Sequence, residues 1–480
     1  MNIVHAAGEL FPFMKTGGLA DAVGGLAKAL AAAGHEVSVF LPGYRTALDH
    51  PAADSAERVH RLQVEVGGRY LRADLLRVRV GLRHTTYLIQ RDEYFDRRGA
   101  YGSAERDYDD NAERFIFFSK AVAEAMRLMD LKADVVHAHD WQTALLPVYV
   151  RLAEERHRTT LAVKTVFTVH NQAFQGVFPM DTFGLTGLPE EFRSVDGLEF
   201  FGQINLMKAG LLFADRVTTV SPTYAKEIQT PEYGCGLEGV IATRASDLVG
   251  LLNGIDDEVW NPSTDVLLPA RYSVDDLAGK AKCRRALLRK CGFDPETTAP
   301  VFGMICRLTE QKGLDLVLGA RSVFEKEDCR LIIVGMGQPH YEQAVFELAQ
   351  ANPRKIALAR VLDEPMTHLV EAGADFFLMP SLFEPCGLNQ MYSQRYGTVP
   401  LCSRVGGLAD TVVDLEEAPE AGTGLLFTPS EQGIFWALQR AFVLARQPGK
   451  MAGLIRRGME RDFSWSRAAG AYERLYRDEI

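Results

Sequence analysis

Short apolar runs alternate with amphipathic stretches along most of the chain. Residues 3–7 read as a buried strand. After a loop over 8–18, Leu19, Val23, Leu26 and Leu30 recur at helical spacing until Gly34, and residues 37–41 form the next strand before Pro42-Gly43. Residues 54–90 alternate apolar and polar positions (Leu62, Val64, Val66; Leu71, Leu75; Val78, Val80), which predicts hairpins added to that sheet. Residues 112–129 have the pattern of an amphipathic helix, and strands are expected at 133–138, 163–169, 217–220 and 248–252. Residues 260–270, with Pro262 and Pro269, have linker character. The pattern then restarts, with strands at 301–306, 331–334, 356–360, 376–379 and 399–402 and helices between them. Strands alternating with helices predict an α/β fold with a doubly wound parallel sheet, here formed twice.

At 480 residues the chain is too long for one core, which agrees with two domains. The expected division is 1–250, a linker over 251–270, 271–458, and a final helical segment over 459–480. The hydrophobic share of 47% and charged share of 24% are those of an ordinary globular protein. With 53 basic against 63 acidic residues the net charge is −10, which argues against nucleic acid or an anionic membrane as the main partner. The 7 cysteines contain no C-x-x-C pair, so neither a disulfide framework nor a zinc site is indicated. No run approaches the roughly 18 apolar residues of a membrane span, and the first residues lack the pattern of a signal peptide. A cytoplasmic protein is expected.

Parallel sheets place ligands in the loops that leave their strands. Four such loops carry chemistry. The first holds Glu9, Lys15 and Gly17-Gly18 ahead of a helix whose N-terminus favours anions. It lacks the G-x-G-x-x-G dinucleotide pattern. Two more strands end in His137, His139, Asp140, Trp141 and in His170-Asn171. In the second half, Arg307 and Lys312 share one strand-to-helix loop, where two fixed cations suit a diphosphate. Residues 381–413 then present Glu384, Cys386, Gly387 and Leu388 after an apolar run ending at Pro380. The loops with Lys15, with Arg307 and Lys312, and with Glu384 are each equally consistent with a solvated connector; a lone histidine at a strand end is more often structural, but two such clusters shift the weight towards a pocket. No repeated carboxylate cluster suggests a metal site.

Seven motifs decide between these readings: KTGGLAD from Lys15, HDW from His139, TVHNQAFQG from Thr168, SPTYAKEIQTPEYGCGLEG from Ser221, NGID with WNP from Asn253, RLTEQKG from Arg307 and FEPCGLNQ from Phe383. In this order and over nearly the whole chain they resemble bacterial glycogen synthases and plant starch synthases, glycosyltransferase family 5. The resemblance implies the GT-B architecture, two Rossmann-like domains facing a deep cleft, with the terminal helix returning to the first domain. It also implies transfer of glucose from ADP-glucose to the non-reducing end of an α-1,4-glucan, with retention and without cofactor or metal.

By motif position, the resemblance assigns Arg307 and Lys312 to the diphosphate, with Lys15 and Gly18 approaching it and the transferring glucose, and Asp21 among the substrate-binding residues. Glu384 is assigned to the glucose hydroxyls, with Cys386, Gly387 and Leu388 offering backbone contacts and Gly406 and Gly407 nearby. His170 is placed beside the reacting centre. Asp140, Asn171 and Asn253 line the sugar site, and Glu9 and Trp141 lie toward the acceptor. The chain departs from the family's usual pattern at Val405, where threonine is common, at Cys402-Ser403-Arg404, at Phe95 and Phe174, where tyrosine is frequent, and at Leu425. Alternatives are a retaining transferase using UDP-glucose or another acceptor, and a catalytically weak glucan- or nucleotide-sugar-binding protein. The complete set of Lys15, His170, Arg307, Lys312 and Glu384 disfavours the latter. A glucan phosphorylase would need a lysine placed for pyridoxal phosphate, and no motif supplies one.

Overall fold

In a computed structural model describing residues 1–103, 106–157, 163–360 and 363–479, the chain divides into two units. One comprises Met1–Gly254 with Trp465–Ile480, the other Ile255–Ser464. Residues 104 and 105, between the hairpins and the helix after them, lie outside the described residues.

The first unit contains β1 (Asn2–Ala6), β2 (Glu36–Pro42), β3 (Glu57–Val66), β4 (Arg69–Arg79), β5 (His84–Gln90), β6 (Val135–His139), β7 (Lys164–Val169), β8 (Val177–Pro179), β9 (Glu199–Phe200), β10 (Gln203–Asn205), β11 (Arg216–Thr219) and β12 (Leu248–Gly250). Nine of them form one sheet in the order β12-β11-β7-β6-β1-β2-β5-β4-β3. Pairing is parallel from β12 to β5 and antiparallel from β5 to β3, as the alternating pattern of residues 54–90 predicts for appended hairpins. β8, β10 and β9 make a separate small sheet, which the sequence reading missed because strands of two or three residues carry no measurable alternation. Residues of β1 and β6 are buried on both faces, as a central parallel strand requires, yet these strands carry His5, His137 and His139.

Helix α1 (Gly18–Ala32) buries Leu19, Val23, Leu26 and Leu30, the stripe read from the sequence. The terminal helix Trp465–Tyr476 packs against α1. Gly25 makes this fit possible, since a Cβ there would meet Trp465 Nε1 at 2.0 Å. Polar contacts close the seam: His35 Nε2 to the Glu473 carboxylate at 2.6 Å, and Lys164 Nζ to that of Asp478 at 2.5 Å.

The second unit holds β13 (Val301–Ile305), β14 (Arg330–Val334), β15 (Ile356–Ala359), β16 (Phe376–Met379), β17 (Val399–Ser403) and β18 (Leu425–Phe427), all parallel in the order β15-β14-β13-β16-β17-β18. β18 is one strand more than the sequence reading placed. Residues 260–270, expected to be linker, belong instead to this unit's packing. The Trp260 ring stacks on His368 at 4.1 Å and on Tyr392 at 3.7 Å between centroids, and Asp265 is held by His368 Nδ1 and the Tyr396 hydroxyl, each at 2.7 Å. Proline and polarity suggest a linker locally, but a stacked indole and a paired buried carboxylate bind the segment down. No described helix is long and apolar enough to cross a membrane.

Candidate functional site

In the second unit the strand order reverses between β13 and β16, which lie side by side. Their following loops therefore emerge together at the carboxyl edge, where open parallel sheets bind ligands. The loop after β13 carries Arg307 and Lys312, and the loop after β16 carries Glu384. Hydrogen bonds join them: Leu382 N–H donates to the Gln311 carbonyl at 2.8 Å, and the Gln311 side-chain Nε2 to that of Phe383 at 3.2 Å. Gly313, with φ of +68°, sits so close that a Cβ would meet the Pro380 carbonyl oxygen at 1.9 Å. The result is an ion pair between residues 72 apart in sequence, Lys312 Nζ to Glu384 Oε2 at 2.5 Å. Ser381 Oγ donates to the same carboxylate oxygen at 3.0 Å. Glu384 is buried, whereas Arg307 is exposed and has no ion-pair partner among the described residues.

The loop after β17 supports this arrangement from beneath. Gly406, with φ of +41°, and Gly407 are both buried, and Cβ atoms on them would meet the carbonyl oxygens of Glu384 and Cys386, each at 2.1 Å. Expected as site-lining residues, they instead let this loop pack under residues 384–386. Cys386 is buried as well, while Gly387 and Leu388 remain partly exposed. Val405 caps the helix Gly406–Thr411 without a side-chain bond, and its side chain is buried in the apolar cluster with Cys402, Leu408 and Leu426. The displaced basic residue Arg404 pairs with Glu417 at 2.7 Å.

In the first unit, the loops after β1, β6, β7 and β12 share one carboxyl edge, with β1 and β6 again flanking the reversal of strand order. The Glu9 carboxylate organises the first loop. It accepts from Thr16 N–H and Oγ1 at 2.6 Å each, from Gly17 N–H at 3.1 Å and from the Tyr101 hydroxyl at 3.0 Å. Glu9 was expected toward the acceptor, but these bonds turn it inward, where it holds the loop that carries Lys15. Cβ atoms at Gly17 and Gly18 would meet nothing within 4 Å, so the glycines keep the backbone open to close approach. Lys15 pairs with Asp21 at 2.8 Å.

Asp140 stands at the end of β6 with φ of +56°, a conformation that costs a non-glycine residue about 1–3 kcal/mol and that persists only where the surroundings enforce it. Its Oδ1 accepts from His170 N–H at 2.7 Å, tying the ends of β6 and β7. Burial, and secondarily the charge of Glu9, push its carboxyl up to about 7 against the pull of the His170 and Asn171 N–H groups. The folded state thus holds the proton more tightly than the unfolded chain, with its ordinary value of 3.8. The stabilisation is complete below about pH 4 and is lost as pH rises toward about 7. Asp140→Asn, which keeps an acceptor, is expected to raise stability relative to the parent by about 2–4 kcal/mol at pH 8 and little at pH 4.5. Denaturant titrations at the two pH values measure this, and activity should fall in the same variant.

His170 is partly exposed, and burial of its ring lowers its pKa to about 3. Asn171 Oδ1 accepts from Ala173 N–H at 3.0 Å and shapes the turn that leaves Phe174 exposed. Asn253 lies beyond β12 on the same edge, its side chain without a hydrogen bond among the described residues. Trp141 does not present its ring to this edge. It is buried against Phe115 (4.8 Å between centroids), Phe178 (5.6 Å) and Gly176. Phe95 is likewise fully buried among Tyr44, Tyr94 and Phe118, an aromatic cluster where a phenol would need a partner. Sequence reading missed Ser381, Thr16 and Tyr101, because ordinary polar residues in loops carry no signal until their partners are known.

The family model for the starch synthase catalytic domain matches residues 2–243, and that for glycosyl transferases group 1 matches residues 293–442. A glycogen synthase of Opitutus terrae is 60% identical over 480 residues, covering 100% of both chains. One from an Anaeromyxobacter species is 46% identical over 479 residues, covering 99% of each. Among solved structures, the catalytic domain of starch synthase IV from Arabidopsis thaliana, bound to ADP and acarbose, superposes with a TM-score of 0.91 at 33% identity, covering 99% of each chain.

Proposed function

The chain belongs to the family of bacterial glycogen synthases and plant starch synthases, and from that premise we propose that it transfers glucose from ADP-glucose to the non-reducing end of an α-1,4-glucan with retention of configuration. The observation that carries the reading is the Lys312–Glu384 pair at the same sheet edge as Arg307, which has no ion-pair partner among the described residues. A nucleotide sugar offers a diphosphate to the cations and hydroxyls to the carboxylate, so each half of the pair has its own ligand on the donor. The ADP held by the Arabidopsis neighbour supports adenine as the base.

When the bond from C1 of glucose to the phosphate oxygen breaks, negative charge grows on ADP and C1 becomes oxocarbenium-like. Arg307 and Lys312 stabilise that charge more in the transition state than in the ground state, and Glu384 orients the sugar. In the first unit, the Lys15 ammonium and the open Gly17-Gly18 backbone ahead of a helix N-terminus offer positive potential of the kind that suits a phosphate. His170 remains neutral, so it does not repel the carbon that is becoming positive. The acceptor hydroxyl attacks from the face that ADP leaves. Its oxygen bonds to C1, and its proton passes to the departing phosphate oxygen. Retention follows without the paired-carboxylate double displacement of glycosidases.

Purified protein, glycogen primer and radiolabelled ADP-glucose or UDP-glucose test this directly. Incorporation from ADP-glucose at least tenfold faster than from UDP-glucose is expected. A preference for UDP-glucose would overturn the donor assignment, and no incorporation from either would overturn the synthase reading.

A further inference from the structure

His170 and two imidazoles behind it form a chain through the core of the first unit. His170 Nε2 lies 3.0 Å from His139 Nδ1, and His139 Nε2 lies 3.0 Å from His5 Nδ1. The chain ends at His5 Nε2, which is buried and has no hydrogen-bond partner among the described residues. At its other end, His170 Nδ1 makes no hydrogen bond among the described residues. His137 braces the chain from the side. Its ring lies 4.0 Å from that of His139 between centroids, its Nε2 meets Thr168 Oγ1 at 2.5 Å, and its Nδ1 meets the Tyr476 hydroxyl at 2.8 Å.

Nitrogens of His5, His137 and His139 lie close enough together to suggest a metal site. A metal would need one nitrogen of each ring turned to a common point. Both nitrogens of His137 are already engaged, and His5 and His139 point at each other, so a hydrogen-bonded chain accounts for the geometry.

Burial holds all four rings neutral near pH 7, with neighbouring histidines lowering His137 and His139 further. Each ring therefore carries one N–H, and the chain has only two self-consistent arrangements. In one, every N–H points from His170 toward His5, leaving a buried N–H with no acceptor at His5 Nε2. In the other, His5 Nδ1–H donates to His139 and His139 Nδ1–H donates to His170 Nε2. The cost at His5 is then only a bare lone pair, and orphaned buried N–H groups are the rarer defect in proteins.

We propose that His5 and His139 are positioning residues that hold His170 in its Nδ1–H tautomer, so that the nitrogen turned away from the chain is always a donor to a hydroxyl oxygen of the transferring sugar. The proposal rests on the placement of His170 at that sugar. It assigns a role to two side chains that touch no substrate, through the rule that the bond made by one ring nitrogen decides which nitrogen keeps the proton.

The full-length protein labelled with ¹⁵N-histidine tests this by two-bond ¹H–¹⁵N correlation, with the His170 signals identified by their loss in His170→Gln. Protonation at Nδ1 is expected, and protonation at Nε2 would overturn the proposal even in a fully active enzyme. Conversely, absence of transferase activity would count against the functional reading while the spectrum still reported the tautomer. His5→Leu removes the first donor and should lower kcat about tenfold, with KM for the donor sugar within about twofold. His5→Asn, whose amide nitrogen stands where Nδ1 stood, should recover most of the loss. Equal kcat in the two variants, with both folded, would refute the chain. If His5→Leu fails to fold, the spectrum of the parent protein decides.

Discussion

Lys312→Ala should lower kcat/KM for glucosyl transfer by about 100- to 1000-fold, the scale set by removing one fixed charge from a developing anion. The loss should appear mainly in kcat, because the charge that Lys312 meets grows as the glycosidic bond breaks. A second effect comes from its partner. Glu384 is buried, with Lys312 and Ser381 on its carboxylate, so removing the lysine leaves an uncompensated charge that should cost about 3 kcal/mol in stability. The two effects separate in Lys312→Ala/Glu384→Gln, where the amide needs no counter-charge. Denaturant titration should show stability largely recovered, while the transfer assay shows no recovery. Unchanged turnover in Lys312→Ala would remove the lysine from the diphosphate site.

Gly313→Ala should destabilise the second unit by at least about 3 kcal/mol. Positive φ accounts for about 1–2 kcal/mol, and the rest arises because the methyl would overlap the Pro380 carbonyl at 1.9 Å. Relief requires the loop after β13 to move away from the loop after β16, which would open the Lys312–Glu384 pair and reduce activity as well. Gly292 provides the control. Its φ is +77°, but a Cβ there meets nothing within 4 Å, so Gly292→Ala should cost only the conformational part and leave activity intact. Equal losses in the two variants, measured by denaturant titration, would show that the close approach to Pro380 contributes nothing.

The departures from the family pattern divide once burial is known. Phe95 and Val405 are core residues, so the missing hydroxyls there do not reach a ligand. Phe174, on the turn after Asn171, is exposed, as is Arg404. Trp141, which the resemblance places toward the acceptor, is buried against Phe115 and Phe178.

By itself the amino-acid sequence determined what is encoded at short range: the succession of strands, glycine-bearing loops and helices, the two-fold repetition of the doubly wound pattern, and the identity of the charged residues at the strand ends. These follow from side-chain periodicity and from backbone preferences within a few residues. Only the tertiary structure decided which strand ends are neighbours. The adjacency of β13 and β16 joins Lys312 to Glu384 across 72 residues, and the alignment of β1, β6 and β7 turns three separate histidines into one chain. It also turned Glu9 inward and drew residues 260–270 into the second unit. Strand order and burial arise from the packing of many distant residues at once, so no local pattern contains them.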